Sequence, residues 1–260
     1  MYQTGWKKIE EMNIHTNVVF ANQGEETSYR ELSFEGQSAK MISTQTRGVG
    51  INRNLAIIHS SADICLFADD DMMYDNGLEE KVVEAFSRLP KADVVIFGLN
   101  YIKGGKFYKR LQRKTGKLPV FGALRYGTCT VAIRREALLK NNIRFTHLFG
   151  GGGVYSHGED SDFILQCYKK GLRVYTYDYI LGTTTKDSST CFDGFNEKYF
   201  YDAGALARHS FGFFAIPYMI YIGWRLGKNA TISAKERYRC LIAGYKGFKK
   251  LVPYAEWKGK

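Results

Sequence analysis

The stretch ADVVIFGL at 92–99 constrains this chain more than any other, because beyond Asp93 it carries no polar side chain on either face. A strand sends alternate side chains to opposite sides, so a run that is apolar on both must be covered on both, which calls for helices above and below a sheet. Its surroundings fit that demand. TNVVFA (16–21), residues 39–44, CLFA (65–68), residues 128–133 and residues 172–177 read as strands. Residues 5–13 read as the end of a helix, and 51–62, 77–88, 134–141 and 159–170 as further helices. Asn22-Gln23-Gly24 reads as a turn, and Asn76 as the N-cap of the 77–88 helix with Glu79 as its reciprocal partner. The basic, glycine-dotted segment 103–122 reads as a hairpin or mobile loop. Strands and helices alternating at this pitch predict an α/β fold, a mainly parallel central sheet flanked by helices.

At 260 residues there is room for one large domain or a domain with an appendage. The five cysteines are scattered, odd in number and without a CxxC pair, which speaks for a reducing cytosol and against a disulfide framework or zinc site. The first twenty residues are polar and mixed in charge, so no signal peptide is expected. Of the net charge of +11, +9 lies in residues 203–260, where eleven Lys or Arg face only Glu236 and Glu256. A nucleic-acid binder would carry that charge on its main domain, so nucleic acid is not an expected partner. A basic tail beside an apolar stretch points instead to an anionic membrane surface. The stretch is FGFFAIPYMIYIGW, 211–224; at 14 residues with Pro217 inside, it falls short of the roughly 20 that a spanning helix needs. Ser233 and Glu236 form a capping-box pattern. The helix it opens sets Tyr238, Leu241, Ile242, Tyr245 and Phe248 against Lys235, Arg239, Lys246 and Lys250. Residues 1–205 and 206–260 thus divide into a main domain and a helical tail. The tail reads either as a monotopic anchor on an inner leaflet or as helices packed on the domain with a solvated basic face.

Two acidic clusters carry the chemistry. In ICLFADDDMMYDN (64–76) three carboxylates, Asp69, Asp70 and Asp71, follow a strand, the place where α/β sheets hold ligands. They read as oxygen donors for Mg²⁺ or Mn²⁺, or as a solvated turn before the next helix. In the second cluster Glu159 and Asp160 open a helix just after the glycines at 150–153. They read as a general base beneath a flexible loop or as ordinary helix-start acidity. Lone histidines are more often structural; His157, next to this cluster, is the exception worth following.

Four motifs in order, RGVGINRNLAI (47–57), CLFADDDMMYDNGLEE (65–80), GTCTVAIRREAL (127–138) and GEDSDFILQCYKKGLRV (158–174), resemble the family 2 glycosyltransferases of the GT-A fold over roughly residues 16–180. STCFDGFNEKYFYDAGALAR (189–208) is similar to the subset that builds bacterial capsule, O-antigen or exopolysaccharide. The resemblance implies that Asp69 and Asp71 match the ends of the family's DxD and would hold a divalent metal with the donor's ribose and diphosphate, with Asp70 between them on the donor side. Asp160 matches the aspartate of the ED motif, the general base of inverting members, and Glu159 would orient the acceptor or support that base. Arg53 and Asn54 match a pair near the nucleotide. Asn22 and Gln23 stand where the family has aspartates, and either amide could hydrogen-bond uracil. Thr183-Thr184-Thr185 replaces a histidine, leaving a third metal ligand unassigned. The family's opening βα unit has no counterpart here, which implies a truncated or alternative-start product and an exposed strand edge. The implied activity is metal-dependent and inverting in the family's manner: transfer from a UDP-sugar to a bacterial surface polysaccharide or its lipid-linked intermediate, by a cytoplasmic protein peripheral on the inner membrane face. A catalytically impaired nucleotide- or partner-binding relative, and a nucleotidyltransferase, are the alternatives.

Overall fold

The computed structural model describes residues 3–185 and 194–259. Cys191, and with it the first part of the 189–208 segment, lies outside the described residues. The chain forms two compact units. One comprises Met1–Arg47, Ile51–Phe145 and Phe163–Ser188, the other Gly48–Gly50, Thr146–Asp162 and Ser189–Lys260.

The first unit opens with a single turn of helix, α1 (Lys8–Glu11), and a three-stranded sheet of β1 (Val18–Gln23), β2 (Ser28–Phe34) and β3 (Gln37–Thr44) in the order β1-β3-β2. β1 and β3 are parallel, and β2 and β3 form a hairpin. Its two-residue connection, Glu35-Gly36, has positive φ at both positions, the twist a tight hairpin needs. β2 is mostly exposed and lacks the apolar run that marks a strand, so no strand is expected there from sequence. Asn22 and Gln23, expected in a turn, complete β1.

The larger sheet contains β4 (Ile64–Leu66), β5 (Met72–Tyr74), β6 (Val94–Lys103), β7 (Lys106–Leu111), β8 (Gly116–Lys117), β9 (Val131–Arg134) and β10 (Val174–Thr185). Its order is β4-β9-β6-β10-β5, with β7 on β6 and β8 on β10. Helices α2 (Val49–His59), α3 (Leu78–Arg88), α4 (Val120–Ala123), α5 (Arg135–Lys140) and α6 (Glu159–Lys169) connect these strands. The expected α/β class holds, but the sheet is mixed rather than mainly parallel: β6 and β10 are its one parallel pair among the described residues. β4, β6 and β10 do run in one direction, as the helical crossovers between them require. β9 runs the other way and separates β4 from β6, which moves β4 to the edge of its sheet.

β6 confirms the reading of ADVVIFGL. Val94 through Leu99 are all buried. Val95, Phe97 and Leu99 enter one cluster with Phe20, Met41, Val82 and Phe86, while Val94 and Ile96 enter another with Ile57, Phe67, Phe145 and Phe163. The two clusters are the two faces of the sheet, covered by α3 on one side and by α2, α5 and α6 on the other. Each fully buried side chain of this size contributes about 1.5–3 kcal/mol. The expected Asn76 cap does not form. Gly77, with φ of 75°, is the N-cap of α3, and the Asn76 side chain instead accepts a hydrogen bond from Asn13 at 2.9 Å.

The second unit is helical: α7 (Glu197–Ser210), α8 (Ala215–Arg225), α9 (Ala234–Gly247) and α10 (Tyr254–Lys258). Positions 205 and 206 lie inside α7, one unbroken helix. The Ser233–Glu236 capping box opens α9 as expected. α7 and α9 pack backbone to backbone, since a Cβ on Gly204 would collide with the Leu241 carbonyl and one on Gly244 with the Tyr201 carbonyl.

Candidate functional site

The aspartate turn follows directly from the end of β4. Phe67 is buried there, its ring edge-on to the stacked pair of Phe145 (5.2 Å) and Phe163 (5.3 Å), and this fixes the chain just before Asp69. Arg53, on α2, donates to Asp69 at 2.8 Å and lies 5.2 Å over the Phe145 ring. Its side chain is only 11% exposed against 43% for Asp69, so the pair is held from the protein side while the carboxylate keeps an open face. Asn54 braces the same region: it donates to the Phe145 carbonyl at 2.8 Å and accepts from the Phe145 N–H at 2.9 Å. Lys8 donates to the Asp70 carbonyl at 2.8 Å, tying the turn to α1.

Asp71 lies at the surface, yet its carboxyl is raised above the usual range, by partial desolvation first and then by the Asp69 charge. The Thr184 side chain hydrogen-bonds to it and offsets part of that cost. β10 delivers Thr184 because it pairs antiparallel with β5, Thr184 opposite Met72. The expectation for Thr183–Thr185 left this role unseen; one of the three is a partner of Asp71.

Asn22 is differently placed. It is 4% exposed, accepts from the Gln3 N–H at 2.7 Å, and donates to the Gln3 carbonyl at 2.9 Å and the Ser43 hydroxyl at 3.1 Å. Its amide clamps the N-terminal segment to the small sheet, so the hydrogen bond to uracil expected of it would require breaking these. Gln23, beside it, is half-buried.

In the second unit Glu159 and Asp160 are half-buried in the first turn of α6. The glycine run before them is a closed turn rather than the flexible loop expected. Gly150 N–H donates to the Tyr155 carbonyl, Tyr155 N–H to Leu148 and Gly153 N–H to Gly150, each at 2.9 Å. Gly150 has φ of 90°, and a Cβ there would come within 2.7 Å of the Glu159 carboxyl carbon, so the turn and that carboxylate are packed together. Two further acids of this unit, to which the sequence reading gave no role, are buried. Asp162 is buried and accepts from the Ser210 hydroxyl at 2.6 Å, with His209 at 3.5 Å. Asp202 is 0% exposed; one oxygen accepts from the Ser156 N–H (2.8 Å), the Ser156 hydroxyl (2.6 Å) and Lys198 (2.9 Å). His157 stacks flat on Tyr199 at 4.2 Å, and burial lowers its pKa to about 4. It is a neutral packing residue at ordinary pH.

No group of three or more His, Cys, Asp or Glu side chains among the described residues is arranged to hold a metal ion. The donor chemistry at the turn nevertheless fits a hard divalent cation. Asp69 and Asp71 offer oxygens only, and the repulsion recorded in the raised Asp71 carboxyl is what a cation would relieve. A magnesium-type ion commonly takes one or two carboxylates and completes its shell with substrate phosphates and water. A separate cleft of about 590 Å³, lined by Asn13, His15, Asp75, Asn76 and Glu79 among others, contains none of the expected site residues.

A mixed sheet covered by helices, with an oxygen-rich turn beyond one strand, is the GT-A arrangement. The chain belongs to glycosyl transferase family 2, whose family model matches residues 16–150, over half its length. No curated protein matches it. Among solved structures it is similar to S. aureus TarS 1–349 in complex with UDP-GlcNAc (TM-score 0.52, 16% identity, 84% of this chain and 61% of that one). It is likewise similar to TarS 1–349 in complex with UDP (0.52, 15%, 86% and 61%). The chain therefore spans about three fifths of the length of these structures.

Proposed function

We propose that this chain transfers a sugar, with inversion, from a UDP-linked donor to a hydroxyl of a bacterial surface polysaccharide or its lipid-linked intermediate. The observation that carries the reading is the aspartate turn: Asp69 held by Arg53, and Asp71 desolvated, repelled by Asp69, and supported by Thr184 and its own backbone N–H. In this reading Asp69 and Asp71 hold Mn²⁺ or Mg²⁺ and Asp70 lies on the donor side. The cation, when bound, offsets charge on the leaving diphosphate. Asp160 takes the proton of the acceptor hydroxyl as its oxygen attacks the anomeric carbon, and the bond from that carbon to the diphosphate breaks with its electron pair leaving on UDP. Glu159, packed on the Gly150 turn, orients the acceptor. Arg53 and Asn54 steady the donor side through Phe145, and Gln23 is the amide left to meet the base. UDP-GlcNAc and UDP in the TarS structures support a UDP donor. The protein acts at the cytoplasmic face of the bacterial plasma membrane, with residues 206–260 as the membrane-associating region.

Transfer or hydrolysis of a panel of UDP-sugars, with and without Mn²⁺, tests this. Activity that requires the cation and is lost in Asp71→Ala and Asp160→Asn is expected. Turnover unchanged in both variants would overturn the assignment, and synthesis of a nucleotide-sugar from NTP and sugar phosphate would replace it with nucleotidyl transfer.

A further inference from the structure

We infer that the outer face of α8, with the turn before it, is the surface that docks this protein on an anionic lipid bilayer. This deepens the peripheral localisation proposed above and does not depend on catalysis. Helix α8 carries no charged side chain before Arg225 in its last turn. Ala215, Met219, Ile222 and Gly223 are buried on its inner side, where it packs on α7 and α9. The outer side carries Phe213, Ile216, Ile220 and Trp224, which are 92%, 60%, 57% and 74% exposed, with Phe214 at 60% beside them. Their spacing of three or four residues lines them up in one stripe.

The sequence pattern also pointed to α9 as an amphipathic element, but of its apolar face Leu241 is buried, Tyr238, Tyr245 and Phe248 are half-buried, and Ile242 is exposed. Cys240, Leu241 and Gly244 are buried, and Gly244 meets the α7 backbone. The larger exposed apolar surface of this unit is the α8 stripe.

Charge selects the partner. Between Asp202 and Glu236 the chain has no acidic residue, while Arg208, Arg225, Lys228 and Lys235 are basic. Arg225 lies 5.8 Å from the Tyr221 ring at the C-terminal end of the stripe, next to Trp224, a residue suited to the headgroup level. A two-fold pairing with a second copy would bring the same cations face to face, whereas anionic headgroups neutralise them. No helix among the described residues is long and apolar enough to cross a membrane, so the stripe lies in the interface plane.

The test is co-sedimentation of the full chain with phosphatidylcholine vesicles, with and without phosphatidylglycerol. The wild type is expected to pellet with the anionic vesicles. Phe213→Ser alone is expected to weaken this several-fold, and Phe213→Ser/Ile220→Ser/Trp224→Ser by about tenfold or more. Arg225→Glu/Lys228→Glu is expected to remove the preference for anionic vesicles. Failure of the wild type to pellet, or equal pelleting of Phe213→Ser and the native-folded triple variant, overturns the proposal. A concentration-dependent dimer that the triple variant abolishes would overturn it in favour of a second copy.

Discussion

The aspartates of this protein divide between two treatments. At 69–71 the carboxylates sit on an exposed turn with sparse support, so that Asp71 carries the cost of its neighbour's charge. In the helical unit Asp162 and Asp202 are buried and held by short hydrogen bonds from serine hydroxyls, with a lysine added at Asp202. The difference teaches which acids are available for chemistry. A buried carboxylate gripped by short hydrogen bonds from the protein is structural, even though Asp202 Oδ1 has no hydrogen-bond partner among the described residues; one left repelled at the surface has capacity for a ligand.

The widest separation is expected from exchanging the two losses. Asp71→Ala should lower transfer about a thousandfold, on the scale of losing a preorganised charge-stabilising group, while leaving the thermal midpoint unchanged or slightly raised. Asp202→Ala should do the reverse, costing about 3 kcal/mol by stranding the Ser156 donors and Lys198, as read from urea unfolding. Equal loss of stability in both variants would erase the distinction.

A smaller effect concerns His157. Because its pKa is lowered to about 4 in the folded protein, the unfolded chain binds the extra proton first as pH falls below the ordinary histidine value. Its contribution is intact above about pH 6.5 and drains away down to about pH 4, at most about 3 kcal/mol across that window. His157→Phe, which keeps the stack on Tyr199, should flatten this part of the stability–pH curve; an unchanged slope would place the acid sensitivity elsewhere. The smallest effect is expected at Thr184→Val. It removes one hydrogen bond to Asp71, about 1 kcal/mol, and should raise the Mn²⁺ concentration needed for half-maximal activity several-fold with little change in the thermal midpoint.

How far the sequence could be read depended on whether burial or context made the element. β6 was legible because both of its faces are core, and α9 because its capping box is local chemistry. β2 was not, since an exposed hairpin strand carries no apolar signature and owes its place to a two-residue turn and a neighbour. β5 hid for another reason: Met72–Tyr74 is three residues long, flanked by acids, and becomes a strand only by pairing with the end of β10. The same holds at the site. The aspartates and Arg53 are visible as a motif, but Thr184 stands more than a hundred residues from Asp71 and meets it only through that pairing. Exposure was not legible either, because periodicity shows which side of a helix is apolar, not which side a neighbour has already taken.

β10 also sets how mutation can reach the aspartates. It pairs with β6 near both ends, at Val174–Thr176 and Thr183–Thr185, its last residues also lie beside β5, and its register against β6 slips between Thr176 and Ile180 and between Ile180 and Thr183. The outer end is seated on both sides, between β6 and β5, and this double seating presents Thr184 to the acidic turn. Losing one residue between 177 and 179 would shift everything beyond it by one position, turning Thr184 away from Asp71 and the fully buried Leu181 out of the core, so the acidic turn and the core would fail together there.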